Sequence, residues 1–284
     1  MTKAPHQGSP TPADVGDYYD RMTSLLNRAL GGNTHLGYWP HPDDGSTLGQ
    51  ASDRLTDHMI GKLREHTGRP VRRVLDVGCG SGRPALRLAH SEPVDIVGIT
   101  ISPRQVELAT ALAERSGLAN RVRFECADAM DLPFPDASFD AVWALECLLH
   151  MPDPARVFQE MARVLRPGGR LAAMDVTLRA SQPTGADWSS SELAVPSLIP
   201  ITAYAGMISD AGLRLTELTD IGEHVIAPSY SAMGDDVRAN AHAYAEALEM
   251  TADDLETFVG KCSQWYTEDI GYVVLTAPCQ RAEV

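Results

Sequence analysis

The sequence predicts an α/β fold in which a doubly wound parallel sheet carries helices on both faces. Two observations lead to this prediction. Between residues 73 and 176, short runs of β-branched and aliphatic residues alternate with segments of helical periodicity. In addition, the run VLDVGCGSG at 74–82 joins a strand to glycines at alternate positions, just before a helix. Open α/β sheets bind nucleotides at such a strand-to-helix junction.

Before the core, the sequence predicts a leader and a helical lid. Residues 1–13 are rich in proline, glycine, serine and threonine, which predicts a disordered leader. Apolar and aromatic residues at helical spacing predict helices over 14–30 and 47–66, with the aromatic-rich loop 35–40 between them. The region 14–68 is therefore expected to form a helical lid outside the sheet.

The remaining region, 69–284, is expected to form the core. The predicted strands are 73–78, 94–100, 121–125, 138–144, 170–176, 213–219 and 271–276. The predicted helices are 83–90, 103–117, 154–165, 201–211 and a stretch from about 229 to 262. Two segments, 178–200 and 225–262, are left over and are expected to form a cap above the carboxyl ends of the strands.

The expected cap holds many apolar side chains. They are Trp188, Leu193, Val195, Leu198, Ile199, Ile201, Tyr204, Met207, Tyr230, Met233, Tyr244 and Met250. Such side chains either line a large apolar acceptor pocket or pack the cap onto the sheet. The sequence leaves both interpretations open.

Composition narrows the class of protein. The chain has 284 residues and a formal net charge of −14, so its long-range field disfavours nucleic acid as a partner. It has neither a run of about eighteen apolar residues nor a signal-peptide pattern, so we expect a cytoplasmic protein without membrane contact. The five widely spaced cysteines lack a C-x-x-C pair and favour reduced thiols. No cluster has metal-ligand spacing, so no metal is expected.

The glycine turn after the first strand predicts the class of ligand. Asp76 stands two residues before Gly78, and Gly80 follows. A carboxylate there repels a phosphate but holds an ammonium group, so the expected ligand is a nucleoside that bears an amino acid. A purely structural turn and a dinucleotide-dependent oxidoreductase are the alternatives, although the dinucleotide turn has the different spacing G-x-G-x-x-G.

This D-x-G-x-G-x-G run resembles the first motif of the class I S-adenosylmethionine (SAM) methyltransferases. The resemblance implies SAM as cofactor and S-adenosylhomocysteine (SAH) as product. It also implies a Rossmann-like sheet of seven strands whose last strand lies antiparallel beside the fifth. The strands 213–219 and 271–276 fit that ending.

The second strand departs from the commonest nucleoside pattern. It ends in Thr100, where an acidic residue usually accepts the ribose hydroxyls. The run G-[IL]-T-x-S-x-x-Q resembles the γ-tocopherol methyltransferases and cyclopropane fatty acid synthases. That resemblance implies ribose contacts for Thr100 and Gln105, with Ser102 in the same site. However, Ser102 and Gln105 also form a capping box, which needs no ligand.

Two further positions are expected in the cofactor site. Asp128 and Ala129 follow the third strand, where the carboxylate can accept the exocyclic amine of adenine and a backbone amide can face the ring. Asp128 can instead simply start a turn. Leu145, at the end of the fourth strand, is expected beside the cofactor as well.

The run E-x-L-x-H-M-P-D at 146–153 resembles small-molecule methyltransferases of the ubiquinone and natural-product type. With the Y-Y-D and N-x-H-x-G-Y-W elements, the likeness covers about residues 17–180 and is strongest to the sugar O-methyltransferase of rebeccamycin biosynthesis. It implies that His150 and Asp175 form the acid/base pair. A neutral imidazole can take the hydroxyl proton while the carboxylate orients the ring.

Structural roles are the alternatives for these residues. His150 can be a loop residue bonded to backbone, and Asp175 a cap or turn residue. His35 either touches the ligands or packs inside the lid.

The expected function is methyl transfer from SAM to a hydroxyl of a small molecule, either a natural product or its sugar. C-methylation of an activated carbon and a catalytically idle SAM-binding accessory protein are the alternatives. The lid helices are compatible with a homodimer.

Overall fold

A computed structural model of the chain describes residues 10–64, 70–179, 195–196, 198–248, 251, 253, 257, 260 and 268–280. Its frame is one mixed sheet. The strands are β1 Arg73–Val77, β2 Asp95–Thr100, β3 Val122–Cys126, β4 Phe139–Leu145, β5 Leu165–Leu178, β6 Ile199–Pro200, β7 Glu217–Asp220 and β8 Ile270–Pro278. Their order is β3-β2-β1-β4-β5-β8-β7, with β6 paired to β5. Among these described strands β8 alone runs in the opposite direction, so it is antiparallel to both β5 and β7.

Eight α-helices surround the sheet in the described part of the chain. They are α1 Pro12–Ala29, α2 Leu48–Arg64, α3 Arg83–Ser91, α4 Pro103–Arg115, α5 Pro154–Val164, α6 Tyr204–Asp210, α7 Gly222–Ala239 and α8 Ala241–Leu248. Two 3-10 turns, Leu148–His150 and Ile201–Ala203, lie before α5 and α6. No helix in the described ranges is long and apolar enough to cross a membrane.

The predicted fold class is confirmed, including the last strand antiparallel beside the fifth. The short strand β6 is an addition, and it lies inside the segment expected to form a cap. α1 begins at Pro12, inside the expected leader, because the Thr11 side chain caps the helix and Pro12 suits its first turn. The rest of that leader, 1–9, lies outside the described residues.

The α7 helix begins at Gly222, before the predicted start at about 229. Pro228 lies inside this helix. Proline normally ends or kinks a helix, so the sequence pattern favours a boundary there. The structure shows that packing of Val225 and Ile226 against the sheet keeps the first turn helical.

Both faces of the sheet are covered. On one face α2, α3, α4 and α7 pack in a cluster that includes Met59 and Trp143. On the other face α5 and α6 pack in a cluster that includes Phe139 and Phe158. Neighbouring residues of a strand point to opposite faces, so β4 contributes Val142 to one cluster and Trp143 to the other. Burial on both faces explains the nearly continuous apolar strands.

Candidate active site

A cleft opens at the carboxyl ends of the central strands. It is bounded by α1, by the loop 33–37 between α1 and α2 (the lid loop) and by the turns that follow β1, β2, β3 and β4. Eight of the predicted site residues line it, namely Gly78, Gly80, Thr100, Gln105, Asp128, Ala129, Leu145 and His150. The cleft also contains Tyr19, Thr34 and Glu146, to which no role was assigned from the sequence. Parallel topology thus gathers segments that are far apart in the chain.

Asp76 lies behind the glycine turn in the centre of the sheet. Its carboxyl is 1% exposed, and its Oδ2 has no hydrogen-bond partner among the described residues. Burial raises the pKa of Asp76 to about 7, against a smaller opposing effect of the neighbouring Trp143 indole, whose Nε1 also has no hydrogen-bond partner among the described residues. A buried carboxyl oxygen without a partner is unusual and suits a cationic ligand. The geometry therefore fits the ammonium group of an amino-acid-bearing nucleoside.

The glycines of the turn are required by their backbone and by their neighbours. Gly78 and Gly80 have φ values of +70° and +52°, a region that favours glycine. A Cβ at Gly78 would meet the side chain of Cys147, and one at Gly80 would meet that of Thr34. The turn therefore leaves no room for side chains at these two positions.

Thr100 and Gln105 are bonded to each other and to the lid. The Thr100 hydroxyl donates to Gln105 Oε1 at 2.5 Å, and Gln105 Nε2 donates to Thr23 Oγ1 of α1 at 3.1 Å. Ser102 lies behind them, where its hydroxyl caps α4 and donates to Asp20 at 2.5 Å. The capping role is therefore present, while the ribose contacts of Thr100 and Gln105 and the cofactor role of Ser102 stay predictions.

Asp128 combines the two roles considered for it. Its side chain lines the cleft, and its Oδ1 accepts a hydrogen bond from the Met130 amide at 2.8 Å. This bond shapes the turn that presents Ala129 to the cleft. The adenine contacts of Asp128 and Ala129 stay predictions, as does the place of Leu145 beside the cofactor.

His150 ends the 3-10 turn after β4 and meets Tyr19 of α1. The Tyr19 hydroxyl and His150 Nε2 are 2.6 Å apart, and the two rings pack edge to face. Burial raises the pKa of Tyr19 well above its usual range, so the phenol stays protonated near neutral pH. The phenol either donates to a lone pair on Nε2 or accepts from an Nε2–H, according to the tautomer of the ring.

Asp175, near the carboxyl end of β5, holds the turn that carries His150. Its Oδ2 accepts from the amides of Leu148 and Leu149 at 2.6 and 3.2 Å, and its Oδ1 accepts from Val176 at 2.8 Å. These partners are backbone amides, whereas the sequence led us to expect the imidazole of His150. The difference arises because the 3-10 turn directs its free amides toward β5. Burial raises the pKa of Asp175, and the nearby Glu146 adds to this effect.

His35 and the expected cap residues have packing roles. His35 is buried, bonds to Leu36 O at 2.7 Å and to Thr56 at 3.0 Å, and has a pKa lowered to about 4 by burial. The cap residues in the core clusters or packed against them are Val195, Leu198, Ile199, Ile201, Tyr204, Met207, Tyr230, Met233 and Tyr244. Trp188, Leu193 and Met250 lie outside the described residues.

Comparison with known proteins agrees with this geometry. Residues 75–173 match the methyltransferase domain family. The 27-O-demethylrifamycin SV methyltransferase of Amycolatopsis mediterranei is 40% identical over 277 residues, which cover 94% of this chain and 97% of that protein. The chain belongs to the class I SAM-dependent methyltransferases of small molecules. Its cofactor is SAM and its cofactor product is SAH. The oxidoreductase alternative is thereby excluded.

Two further relatives bear on the sequence interpretation. The chloroplastic tocopherol O-methyltransferase of Arabidopsis thaliana is 30% identical over 237 residues, covering 77% of this chain and 68% of that protein. The resemblance to tocopherol methyltransferases is thus confirmed. The crystal structure of the [4+2]-cyclase SpnF is 34% identical and superposes with a TM-score of 0.83 over 96% of this chain and 98% of that chain. A close relative of this enzyme is therefore described as a cyclase.

Tyr19, Thr34 and Glu146 are three polar cleft residues that sequence reasoning missed. Signals for all three existed, because Tyr19 lies in Y-Y-D, Thr34 in N-x-H-x-G-Y-W and Glu146 opens E-x-L-x-H-M-P-D. These patterns show that each of the three residues lies in a recognisable motif. They do not show that α1 and the lid loop fold back onto the turn after β4, which only the tertiary structure reveals.

Proposed function

We propose that the enzyme transfers the SAM methyl group to a hydroxyl of a small natural product or of a sugar attached to it, with His150 as general base. The observation that carries this proposal is the presence of His150 in the same cleft as the glycine turn. A base must be within reach of the reacting hydroxyl, which in turn must face the methyl donor. The relative from Amycolatopsis, whose name gives it a demethylrifamycin substrate, supports this class of acceptor.

The cofactor, when bound, supplies a methyl group on a positively charged sulfur. The chain's own residues would hold it: Asp76 would face the ammonium group, Thr100 and Gln105 the ribose, and Asp128 with Ala129 the adenine. The glycine turn lets the backbone approach without side chains in the way. Accurate placement of this kind contributes more to rate than the base does.

His150 would accept the hydroxyl proton at a ring nitrogen. Because a neutral imidazole has one lone pair, this step requires the tautomer whose Nε2–H donates to the Tyr19 oxygen and whose lone pair is on Nδ1. Asp175 would act as a positioning residue, because it holds the amides of Leu148 and Leu149 just before His150. In this arrangement the carboxylate orients the imidazole through the backbone of the turn.

The test uses SAM labelled with carbon-13 in its methyl group and a panel of polyketide and glycoside acceptors that includes 27-O-demethylrifamycin SV. The expected product carries a labelled methyl group on oxygen, which its NMR shift and its correlation to the carbinol carbon identify. A labelled methyl group on carbon would instead indicate C-methylation. Absence of any labelled product with every acceptor would contradict the proposal.

A second candidate is a SAM-binding protein that does not transfer the methyl group. The similarity to the [4+2]-cyclase SpnF favours it as an alternative, because methyl transfer and cyclisation are named for relatives of comparable identity. This candidate requires that His150→Ala leave the native reaction unchanged. It also requires that SAM be recovered intact after turnover.

A further inference from the structure

Glu146 occupies a strained position at the end of β4. Its φ is +53°, a left-handed conformation that disfavours residues with a side chain. Its amide donates to Met174 O at 2.7 Å, which ties this bend to β5. Strain of this kind persists where the surroundings over-determine the conformation, so the contacts of Glu146 require an explanation.

The Glu146 carboxylate joins three parts of the chain. Its Oε2 accepts a hydrogen bond from the Leu36 amide at 3.0 Å and another from the Tyr272 hydroxyl at 2.7 Å. Leu36 belongs to the lid loop, and Tyr272 is fully buried in β8. Glu146 itself follows directly after β4 and lines the cleft. One carboxylate oxygen therefore connects the lid to two strands of the sheet.

The lid loop, defined here as residues 33–37, forms part of the cofactor cleft. Thr34 lines the cleft and packs so closely on Gly80 that a Cβ there would clash with its hydroxyl. Leu36 is buried, and the Gly37 amide donates to Ser229 Oγ at 3.1 Å. Release of the Leu36 amide would therefore move the wall that stands against the glycine turn.

We propose that Glu146 is a positioning residue that holds the lid loop against the glycine turn, and so keeps the wall of the cofactor cleft in register with the turn that carries His150. Glu146 is not assigned a proton transfer. Its carboxyl group satisfies a backbone amide and the hydroxyl of a buried tyrosine, and hydrogen bonds to such donors are costly to lose. The inference rests on the cofactor site of the family, and on the proposed function only through the role of His150.

The test combines hydrogen exchange with SAH affinity and needs no acceptor. Glu146→Gly removes the carboxylate but suits the left-handed backbone, Glu146→Gln keeps an oxygen that can accept both bonds, and Tyr272→Phe removes one donor. We expect Glu146→Gly to speed exchange of the 34–37 amides and to weaken SAH binding on the order of tenfold. Tyr272→Phe should have a smaller effect than Glu146→Gly, and Glu146→Gln the smallest.

Glu217→Gln is the matched control, because Glu217 is a partly buried carboxylate that pairs with Lys62 away from the cleft. It should change neither the exchange of the lid loop nor the SAH affinity. Equal exchange of the lid loop in Glu146→Gly and the wild type would overturn the proposal. So would Glu146→Gln binding SAH as weakly as Glu146→Gly. If Glu146→Gly does not fold, the other two variants decide. The proposal then requires faster exchange of the lid loop and weaker SAH binding in Tyr272→Phe than in Glu146→Gln. A failure of O-methylation alone would leave these readouts unaffected.

Discussion

At the scale of single residues, the cleft depends on buried polar groups whose protonation is set by their surroundings. Burial raises the pKa of Asp76 and of Glu146 to about 7 and lowers that of His35 to about 4. The same cause raises the pKa of Tyr19 well above its usual range. Near neutral pH the site therefore contains a protonated phenol, a neutral lid histidine and two carboxyl groups that change charge readily.

The Tyr19–His150 pair gives the first prediction. His150→Ala should lower kcat by roughly 10²–10⁴-fold, because a general base contributes about that much, and it should leave SAH affinity nearly unchanged. Tyr19→Phe keeps the ring contact but loses the hydroxyl, and should lower kcat by about tenfold. Steady-state kinetics and calorimetry with SAH provide the measurements. His90→Ala, on α3, is the control and should behave like the wild type. If His150→Ala had the same kcat as the wild type, His150 would not be the general base.

Asp76 gives the second prediction, which concerns cofactor affinity. The ammonium group of SAH favours the ionised Asp76 carboxylate. Without SAH, the Asp76 carboxyl has a pKa of about 7. SAH binding should therefore weaken about fivefold from pH 7 to pH 6. At pH 6, binding of SAH should release about 0.9 proton from Asp76. Calorimetry in buffers of different ionisation enthalpy measures that release. Asp76→Asn should remove it, while Asp95→Asn, at the exposed start of β2, should not. A proton count near zero in the wild type would contradict the ammonium contact.

At the scale of secondary structure elements, α1 is attached to the cofactor turns by polar bonds from one helix face. Asp20 accepts from Ser102 at 2.5 Å, Thr23 accepts from Gln105 at 3.1 Å, and Asn27 accepts from Ser81 at 3.0 Å. The spacing of 20, 23 and 27 places these side chains on one side of the helix. Two of the partners, Ser102 and Gln105, belong to the segment after β2.

The third prediction concerns this attachment. Thr23→Val removes the hydroxyl that accepts from Gln105 and preserves the shape of the side chain. We expect the loss of this buried hydrogen bond to weaken SAH binding by about threefold to tenfold, because Gln105 Nε2 then lacks its acceptor on α1. Ser24→Ala, on the exposed side of α1, is the control. Fluorescence titration with SAH measures the effect, and equal affinities for the two variants would show that the Thr23 contact does not shape the cofactor site.

At the scale of the whole molecule, the charge distribution gives the protein an unusual dependence on pH. Asp76, which is buried, and Glu146, which is half-buried, have raised pKa values, so the folded state without cofactor binds more protons than the unfolded state between about pH 4 and pH 7. Stability from these groups is present at low pH and is lost as the pH rises through their folded-state pKa values. The formal net charge of −14 adds repulsion in the same direction.

The fourth prediction follows from that sign. The free energy of unfolding without cofactor should be lower at pH 8 than at pH 5.5, by on the order of 3 kcal/mol. The carboxylates of Asp53 and Asp220, whose pKa values are lowered, act in the opposite direction, but their contribution is lost only at more acidic pH. Urea unfolding at the two pH values tests this. Asp76→Asn should flatten the dependence. Greater stability of the wild type at pH 8 would contradict the prediction.

Short sequence patterns suffice to predict the sheet, the cofactor class and most of the residues that line the cleft. Alternating strands and helices predict the parallel order through local periodicity, and the glycine turn carries its own requirement for positive φ at Gly78 and Gly80. The residues after β2, β3 and β4 reach one cleft because carboxyl ends of parallel strands meet at one edge. All of these features depend on short segments, which is why a single chain reveals them.

The contacts between the lid and the sheet, and the position of charged groups inside the fold, follow instead from long-range packing. The pairing of Tyr19 with His150 and of Glu146 with Leu36 and Tyr272 spans more than a hundred residues of chain. No local pattern encodes such contacts, because they arise when α1 and the lid loop pack over the strand ends. The same packing directs Asp175 to backbone amides instead of the imidazole. Burial, which shifts the pKa values, is likewise a property of the folded chain.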